Sequence, residues 1–329
     1  MKDLKRLSLV VVGIICTVGS VPSRTQEVTA AATQVRSYAT SRFALELNGG
    51  FAGFVDVAEG GNGFGEVVEA PLIESMFYRK KHLAGVGFRA LTLEVGSDMS
   101  PALADWIQAT AAGNFTRKDG AIVSLDAMYT ERRRVEFHDA WLTEVRIPAL
   151  DATSKDALKL TVVLQPEFTR QVAPQSGKYA ASSCKQKTAL SSNFRLSIDG
   201  VDASRTRAID ALTVKVVFTD GGERTGPQPR YVSFSDVLVQ VSESGADSFD
   251  KWFQDFVIRG NANDDQEKGG TLELLGPNLS SALMTLTFNH LGILELAPAN
   301  QGANDQVGVM LAKMYVESMS FSMAPACGG

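Results

Sequence analysis

The chain has 329 residues, a net charge of −5, 44% hydrophobic residues and 21% charged residues. This balance is typical of a globular protein with a buried core. The mild negative charge argues against a dedicated nucleic-acid-binding protein, which needs a basic face. Beyond the N-terminal segment, no apolar run approaches the roughly 18 residues of a membrane-spanning helix, so no membrane span is predicted.

The N-terminus has the order of a secretory signal peptide. Three basic residues stand within the first six, an apolar run extends from Leu7 to Val18, and small residues follow. This order predicts that residues 1–23 direct export. Residues 24–41 are rich in Ala, Thr and Ser without an apolar stripe, and we interpret them as a linker or an extended arm.

Alternating apolar residues then predict half-buried β-strands, because successive side chains of a strand point to opposite faces. The pattern is clear in Leu91, Leu93 and Val95, and it recurs over residues 158–164. These strands make the chain predominantly β.

One short helix is predicted between these two strands. Ser100 and Pro101 provide an N-cap hydroxyl and a proline at the first helical position. Leu103, Trp106 and Ile107 fall on one helical face. This spacing favours a core position for Trp106 over a role as a sugar-binding platform.

Two glycine-containing stretches are interpreted as connections. Residues 60–65 read Gly-Gly-Asn-Gly-Phe-Gly and lack the lysine and hydroxyl of a phosphate-binding loop, so a flexible connection between strands is favoured. Lys118-Asp119-Gly120 predicts a hairpin turn, because glycine tolerates the positive φ that such turns require.

The order of elements from Tyr78 to Phe168 resembles the tail tube family of contractile phages. The residues that carry the resemblance are Arg79-Lys80-Lys81 with Gly85, Asp105-Trp106-Ile107, Arg117-Lys118-Asp119-Gly120, Phe137-His138-Asp139-Ala140-Trp141, and Pro148 with Ser154. The resemblance implies a barrel-like β-sandwich with one helix, related to the tube of type VI secretion machines. It also implies assembly into six-fold rings that stack into a hollow tube.

A second set of landmarks repeats the first in the same order. Five pairs are separated by 146 to 151 residues: Phe43 and Phe194, Trp106 and Trp252, Gly120 and Gly270, Phe137 and Phe288, and Pro148 and Pro298. A nearly constant offset across five landmarks predicts an internal duplication.

The predicted fold is therefore mainly β with one short helix per domain (α+β), as a tandem duplicated tail-tube-like β-sandwich or barrel. The predicted parts are a signal peptide (1–23), a linker or arm (24–41), domain 1 (42–170), a linker (171–190), domain 2 (191–323) and a C-terminal tail (324–329). Each domain is long enough to bury a core of its own.

No catalytic, cofactor-binding or metal-binding constellation is predicted. His82, His138 and His290 have no second ligand at metal-site spacing, and no nucleophile elbow occurs. Cys184 and Cys327 remain after removal of a signal peptide, an even number that suits an exported protein. We interpret them as a candidate disulfide, with two free thiols as the alternative.

Two basic clusters are candidate assembly or lumen contacts. They are Arg79-Lys80-Lys81 and Arg132-Arg133-Arg134. The alternative for the second cluster is a solvated hairpin end, because short charge runs usually mark exposed turns.

The resemblance implies a structural subunit and no enzyme. A chain with two copies of the fold predicts a ring of three chains with pseudo-six-fold symmetry, which could stack into a conduit. The implied partners are the chain itself and other tail or injection-machine components, with nucleic acid only as cargo of the lumen. A secreted two-domain binding or adhesion module is the alternative function, and a hydrolase comes third.

The two signals on location disagree. Residues 1–23 predict a periplasmic or extracellular protein if the signal operates. Phage tails assemble in the cytoplasm, so the resemblance implies a virion tail or a cytoplasmic injection-type assembly.

Overall fold

A computed structural model describes residues 42–71, 77–96, 99–175, 177–180, 189–219, 226–299 and 308–324. The predicted signal peptide, the predicted arm and both cysteines of the candidate disulfide, Cys184 and Cys327, lie outside these residues.

The elements of the first half are β1 (Arg42–Leu47), β2 (Gly50–Val55), β3 (Val57–Gly60), β4 (Gly63–Glu69), β5 (Lys81–Phe88), β6 (Leu91–Val95), α1 (Pro101–Ala111), β7 (Lys118–Leu125), β8 (Glu131–Ile147), β9 (Leu150–Asp151), β10 (Leu160–Gln165) and β11 (Phe168–Val172). Those of the second half are β12 (Phe194–Ile198), β13 (Thr206–Ile209), β14 (Leu212–Thr219), β15 (Gln228–Phe234), β16 (Val237–Ser242), a 3-10 turn (Glu243–Gly245), α2 (Asp247–Phe253), a π-helical turn (Gln254–Ile258), a second 3-10 turn (Asp264–Gln266), β17 (Lys268–Leu275), β18 (Ala282–Pro298) and β19 (Val309–Met323). The prediction of a mainly β fold with short helices is confirmed.

Antiparallel strands form two large sheets. The first has ten strands, with neighbours in the order β2-β1-β7-β8-β10-β6-β3; β11 and β14 also pair with β8, and β15 pairs with β14. The second has seven strands in the order β12-β17-β18-β19-β16-β13-β9. A separate two-stranded sheet consists of β4 and β5.

Helix α1 begins where the sequence predicts. The Oγ of Ser100 accepts a hydrogen bond from the backbone N–H of Leu103, and Pro101 occupies the first turn. Trp106 is buried, and its indole N–H donates to the carbonyl of Thr116 at 3.1 Å. The interpretation of Trp106 as a core residue is therefore confirmed, and Trp252 of α2 is also buried.

The main cluster of buried apolar side chains contains residues of both sheets. Its largest fully buried members are Trp106, Phe137, Phe249, Phe288 and Phe321. Full burial of a large apolar side chain stabilises a fold by about 1.5–3 kcal/mol. Helix α1 contacts β19, so an element of the first half packs directly on a strand of the second.

Gly120 lies inside strand β7, so the prediction of a hairpin turn at Lys118-Asp119-Gly120 is wrong. Gly120 stands opposite Phe137 of β8. A Cβ at Gly120 would lie 2.2 Å from the carbonyl oxygen of Glu46 and 2.4 Å from the Phe137 ring. The glycine is needed because a backbone and an aromatic ring approach it closely, and no positive φ is involved.

The interpretation of residues 60–65 as a flexible connection is only partly right. Gly60 and Gly61 have positive φ values, as a turn requires, but β4 begins at Gly63. Glycine weakens a strand pattern in the sequence, which explains why this strand was not predicted.

Gly120→Ala is expected to lower the free energy of unfolding by about 1–3 kcal/mol, because the added methyl group overpacks the site. The measurement is urea denaturation. Gly50→Ala is the matched control, since a Cβ there meets nothing closer than the Leu47 carbonyl oxygen at 3.6 Å. Equal stability of the two variants would contradict the close approach.

Candidate assembly interface

The hairpin of β14 and β15 joins the two sheets. It lies in the second predicted domain, yet β14 pairs antiparallel with the end of β8 in the first sheet. Leu212 stands opposite Ile147, and Lys215 stands opposite Glu144. Leu212 and Val214 are buried. An added strand of this kind satisfies the backbone N–H and C=O groups of an open sheet edge and covers apolar surface.

The hairpin of β4 and β5 has no comparable cover in the part of the chain that the structure describes. All seven residues of β4 are exposed. The exposed apolar side chains of the hairpin are Phe64, Val67, Val68, Leu83 and Val86, with exposed fractions from 40% to 70%. A two-stranded hairpin by itself is at best marginally stable in water, so this hairpin is a candidate contact surface.

Strand β18 has an open edge near its C-terminal end. Its pairing with β17 stops at Leu291, whereas its pairing with β19 continues to Pro298. Among the described residues, no strand pairs with residues 292–298 on the β17 side. Leu294 and Glu295 on this stretch are exposed. An unpaired edge offers N–H and C=O groups to another strand.

The first basic cluster lies at the tip of the β4–β5 hairpin. Lys81 pairs with Glu69 at 3.0 Å, and Arg79 lies 3.7 Å from the same carboxylate. Lys80 beside them is exposed. Exposed ion pairs of this kind contribute about 0–1 kcal/mol to stability, so the cluster remains accessible for contacts with another molecule.

The structure separates the three arginines of the second cluster. The Nε of Arg132 donates to Asp126 at 2.8 Å, and Nη2 of Arg133 donates to Gln171 at 3.1 Å. Both side chains are on the exposed part of β8. Arg134 differs, because its side chain is only 6% exposed.

Arg134 is the centre of a buried network. Its guanidinium group lies 2.7 Å from a carboxylate oxygen of Glu46 and 2.9 Å from one of Glu131. Its Nη2 lies 3.2 Å from the hydroxyl of Tyr179, which also donates to Glu46. The network therefore joins β1, β8 and residues 177–180, and it holds the Arg134 guanidinium inside the chain.

Charge and hydrogen bonding in this network shift two pKa values. Burial opposes ionisation of Glu46, but hydrogen bonds from Arg134 and Tyr179 and the Arg134 charge outweigh burial, so the pKa of Glu46 is lowered. Burial and the hydrogen bond to the Glu46 carboxylate raise the pKa of Tyr179. The carboxylate is thus held ionised and the phenol neutral.

The histidines are dispersed, and His138 and His290 both lie beside carboxylates. His138 stacks on Phe168 with ring centroids 4.4 Å apart. His290 Nδ1 lies 2.8 Å from Glu267, and Glu317 is near enough for the three groups to face a single cation. Sequence spacing gave no sign of this group, because its members are brought together by strand pairing. Of the two carboxylates, Glu317 is exposed, and exposed acidic groups are common without a metal.

The class that the geometry defines is a β-sheet protein with an exposed hairpin and an open strand edge. Residues 74–168 match the family model of the T4-like virus tail tube protein gp19. The resemblance to tail tube proteins is thereby confirmed for this segment, which lies within the first predicted domain. A comparison with curated protein sequences gives no match.

Several solved structures show weak overall likeness to this chain. A chain of the PVC sheath–tube complex of an extracellular contractile injection system, in the extended state, is 19% identical over 43% of this chain and 94% of that chain, with a TM-score of 0.36. A chain of the anti-feeding prophage cap is 20% identical over 46% and 99%, with a TM-score of 0.37. Hcp1 from Flavobacterium johnsoniae is 16% identical over 43% and 99%, with a TM-score of 0.26. The TM-scores are too low to base a functional argument on these likenesses.

Within the described ranges, no helix combines the length and apolar character needed to cross a membrane.

Proposed function

We propose that this chain is a structural subunit that forms rings or tubes and is not an enzyme. The match of residues 74–168 to a tail tube family is the observation that carries the proposal. The exposed β4–β5 hairpin and the open edge of β18 support it. Sheet proteins cover such surfaces when they assemble, because uncovered edges invite uncontrolled pairing.

The proposal includes an internal duplication, with residues 42–170 and 191–323 as two copies of one fold. The neighbour order β1-β7-β8-β10-β6-β3 in the first sheet corresponds to β12-β17-β18-β19-β16-β13 in the second. Each half also places a helix before the corresponding strand: α1 precedes β7, and α2 precedes β17 with two short helical turns between them. Strand order repeated in this way supports a common origin of the two halves.

Backbone conformation gives the duplication independent support. Non-glycine residues with positive φ are uncommon. Tyr129 and Leu279 form one such pair, with φ values of 59° and 55°, and Asp139 and His290 form another, with 48° and 57°. Both pairs follow the sequence offset of the predicted duplication, so the same local distortions recur in both halves.

Two domains per chain then favour a ring of three chains with six similar positions, able to stack into a conduit. Arg79, Lys80, Lys81, Arg132 and Arg133 are proposed as contacts with a neighbouring ring or with the lumen contents. Nucleic acid enters the proposal only as lumen cargo, and the other partners are further components of a tail or injection machine.

The site of assembly depends on residues 1–23. A working signal peptide places the assembly in the periplasm or outside the cell, and a chain that keeps these residues assembles inside the cell. A bond between Cys184 and Cys327 belongs to the exported case, because oxidising compartments preserve disulfides.

Negative-stain electron microscopy of the purified chain at high concentration tests the proposal. We expect rings whose averages show three-fold symmetry, alone or in stacks. Scattered monomers at every concentration would contradict the ring. A secreted binding or adhesion module would then become the favoured function.

A further inference from the structure

We propose that the β4–β5 hairpin of one chain adds to the open edge of β18 in a second copy of this chain. The contact rests on the proposed ring-forming function and identifies the surfaces that join one subunit to the next. It is argued from a contact that the chain already makes within itself, between the β14–β15 hairpin and β8.

The two hairpins hold corresponding places in the chain. The β4–β5 hairpin connects β3 to β6, and the β14–β15 hairpin connects β13 to β16. Strands β3 and β6 are neighbours in the first sheet, as β13 and β16 are in the second. The β14–β15 hairpin leaves its own sheet and pairs with β8 of the other half. An equivalent connection would bring the β4–β5 hairpin to the strand that corresponds to β8. That strand is β18 of a second half.

The two hairpins differ in what covers their apolar side chains. Leu212, Val214 and Val216 of β14 are buried. Val67 and Val68 of β4 are more than half exposed, and Leu83 of β5 is 70% exposed. The β4–β5 hairpin therefore has apolar side chains like those of the packed strand β14, but in the single chain they remain exposed.

The receiving edge is free at the corresponding place. On β8, residues 144–147 receive β14. The offset between Phe137 and Phe288 places their counterparts at residues 295–298 of β18, where no described strand pairs on that side. The edge of β8 is thus paired within the chain, whereas the corresponding edge of β18 is unpaired among the described residues.

The two halves also correspond at the helix end that lies beside each strand edge. Ala111 and Ala112, at the end of α1, line a cavity together with Tyr231 and Val232 of β15. The offset between the two helix tryptophans places their counterparts at residues 257–258. These are Val257 and Ile258, both apolar and exposed. The acceptor surface is therefore apolar where an incoming hairpin would lie.

A second copy is the occupant that the fold favours. Both surfaces are present in one chain, yet β4 and β5 pair with each other and not with β18. One donor hairpin and one acceptor edge per chain produce a head-to-tail contact, which closes into a ring or continues as a filament. First and second halves would alternate around such a ring, each joined to the next by a hairpin on a sheet edge.

Paired charge substitutions test the contact in the full-length chain. The donor variant is Val68→Asp with Leu83→Asp, and the acceptor variant is Leu294→Asp with Ile258→Asp. Met128→Asp is the matched control, because Met128 is 71% exposed and lies in the β7–β8 turn. Sedimentation velocity is the measurement. We expect the wild type and the control to assemble and each double variant alone to remain monomeric.

Mixing the two double variants gives the sharper result. Each chain then keeps one working surface, so we expect a 1:1 dimer and nothing larger. Assembly of both variants at wild-type size would overturn the hairpin contact and leave the ring-forming function intact. Open filaments in the wild type that both variants abolish would support the contact and contradict the ring. A wild type that stays monomeric at every concentration would contradict both.

Hydrogen–deuterium exchange of the wild type provides a check that needs no substitution. Backbone amides of residues 63–69 and 294–298 are expected to exchange more slowly in the concentrated, assembled protein than in the diluted monomer. Residues 268–275 of β17, paired on both sides in the single chain, serve as the internal reference. Unchanged exchange at both surfaces in an assembled sample would overturn the proposal.

Discussion

Arg134→Leu is expected to lower the free energy of unfolding by about 3–5 kcal/mol, because it leaves two carboxylates buried without their counter-charge. Glu131 is 1% exposed at its side chain and Glu46 is 16% exposed. Both lose the guanidinium group that lies within 3 Å of them in the wild type. Urea denaturation followed by circular dichroism measures the effect.

Arg133→Leu is the matched control, since this neighbour is exposed on the same strand and a surface interaction contributes about 0–1 kcal/mol. Adding Glu46→Gln to Arg134→Leu is expected to restore part of the loss, because it removes one uncompensated charge. A loss below about 1 kcal/mol in Arg134→Leu would show that the network contributes little.

Acid should reduce the difference between wild type and Arg134→Leu. In the wild type the pKa of Glu46 is lowered from its ordinary value of 4.5. The stability that this ionised group contributes is present above that value and is lost as the pH falls through the lowered pKa. Without Arg134, burial disfavours the charged carboxylate, and protonation relieves the cost. We therefore expect the stability deficit of the variant to shrink as the pH falls through 4.5, from the raised pKa of Glu46 in the variant to its lowered pKa in the wild type.

Local patterns in the sequence predicted the elements that depend on local physics. Alternation in Leu91, Leu93 and Val95 corresponds to β6, whose residues are buried in the same alternation. The Ser100–Pro101 signal marks the start of α1, because N-cap chemistry involves only neighbouring residues.

Features that depend on distant pairing were not visible in the sequence. The arginine run 132–134 looked like one surface cluster, but Arg134 is buried and one of its partners is Glu46, 88 residues away. Tyr179 lies in a stretch interpreted as a linker, yet its hydroxyl belongs to the same buried network. No periodicity or spacing rule connects residues that meet only after the sheet has formed.

The candidate interface shows the same limit. Strand β4 was not predicted because Gly63 and Gly65 interrupt the alternation of apolar and polar residues that identifies a strand. The attachment of β14 to β8 depends on strand pairing between the two halves, which the landmarks of the duplication did not specify. The acceptor edge of β18 became recognisable only by comparison with the filled edge of β8.

Phe137→Ala and Phe288→Ala are each expected to lower the free energy of unfolding by about 3–5 kcal/mol, the usual cost of removing a buried phenylalanine ring. Both side chains are fully buried, one in β8 and the other in β18. Each stands opposite a glycine of the preceding strand, Gly120 or Gly270. Phe77→Ala is the control, because Phe77 is 97% exposed.

The shape of the unfolding transition distinguishes one cooperative unit from two. Phe137 and Phe288 belong to the same buried cluster, which extends through both sheets. We therefore expect either substitution to shift a single transition without changing the dependence of unfolding free energy on urea, since that slope follows the surface exposed on unfolding. A second transition in one variant would show that the two halves unfold independently, each around its own core. The β14–β15 hairpin would then be a removable contact between separate units.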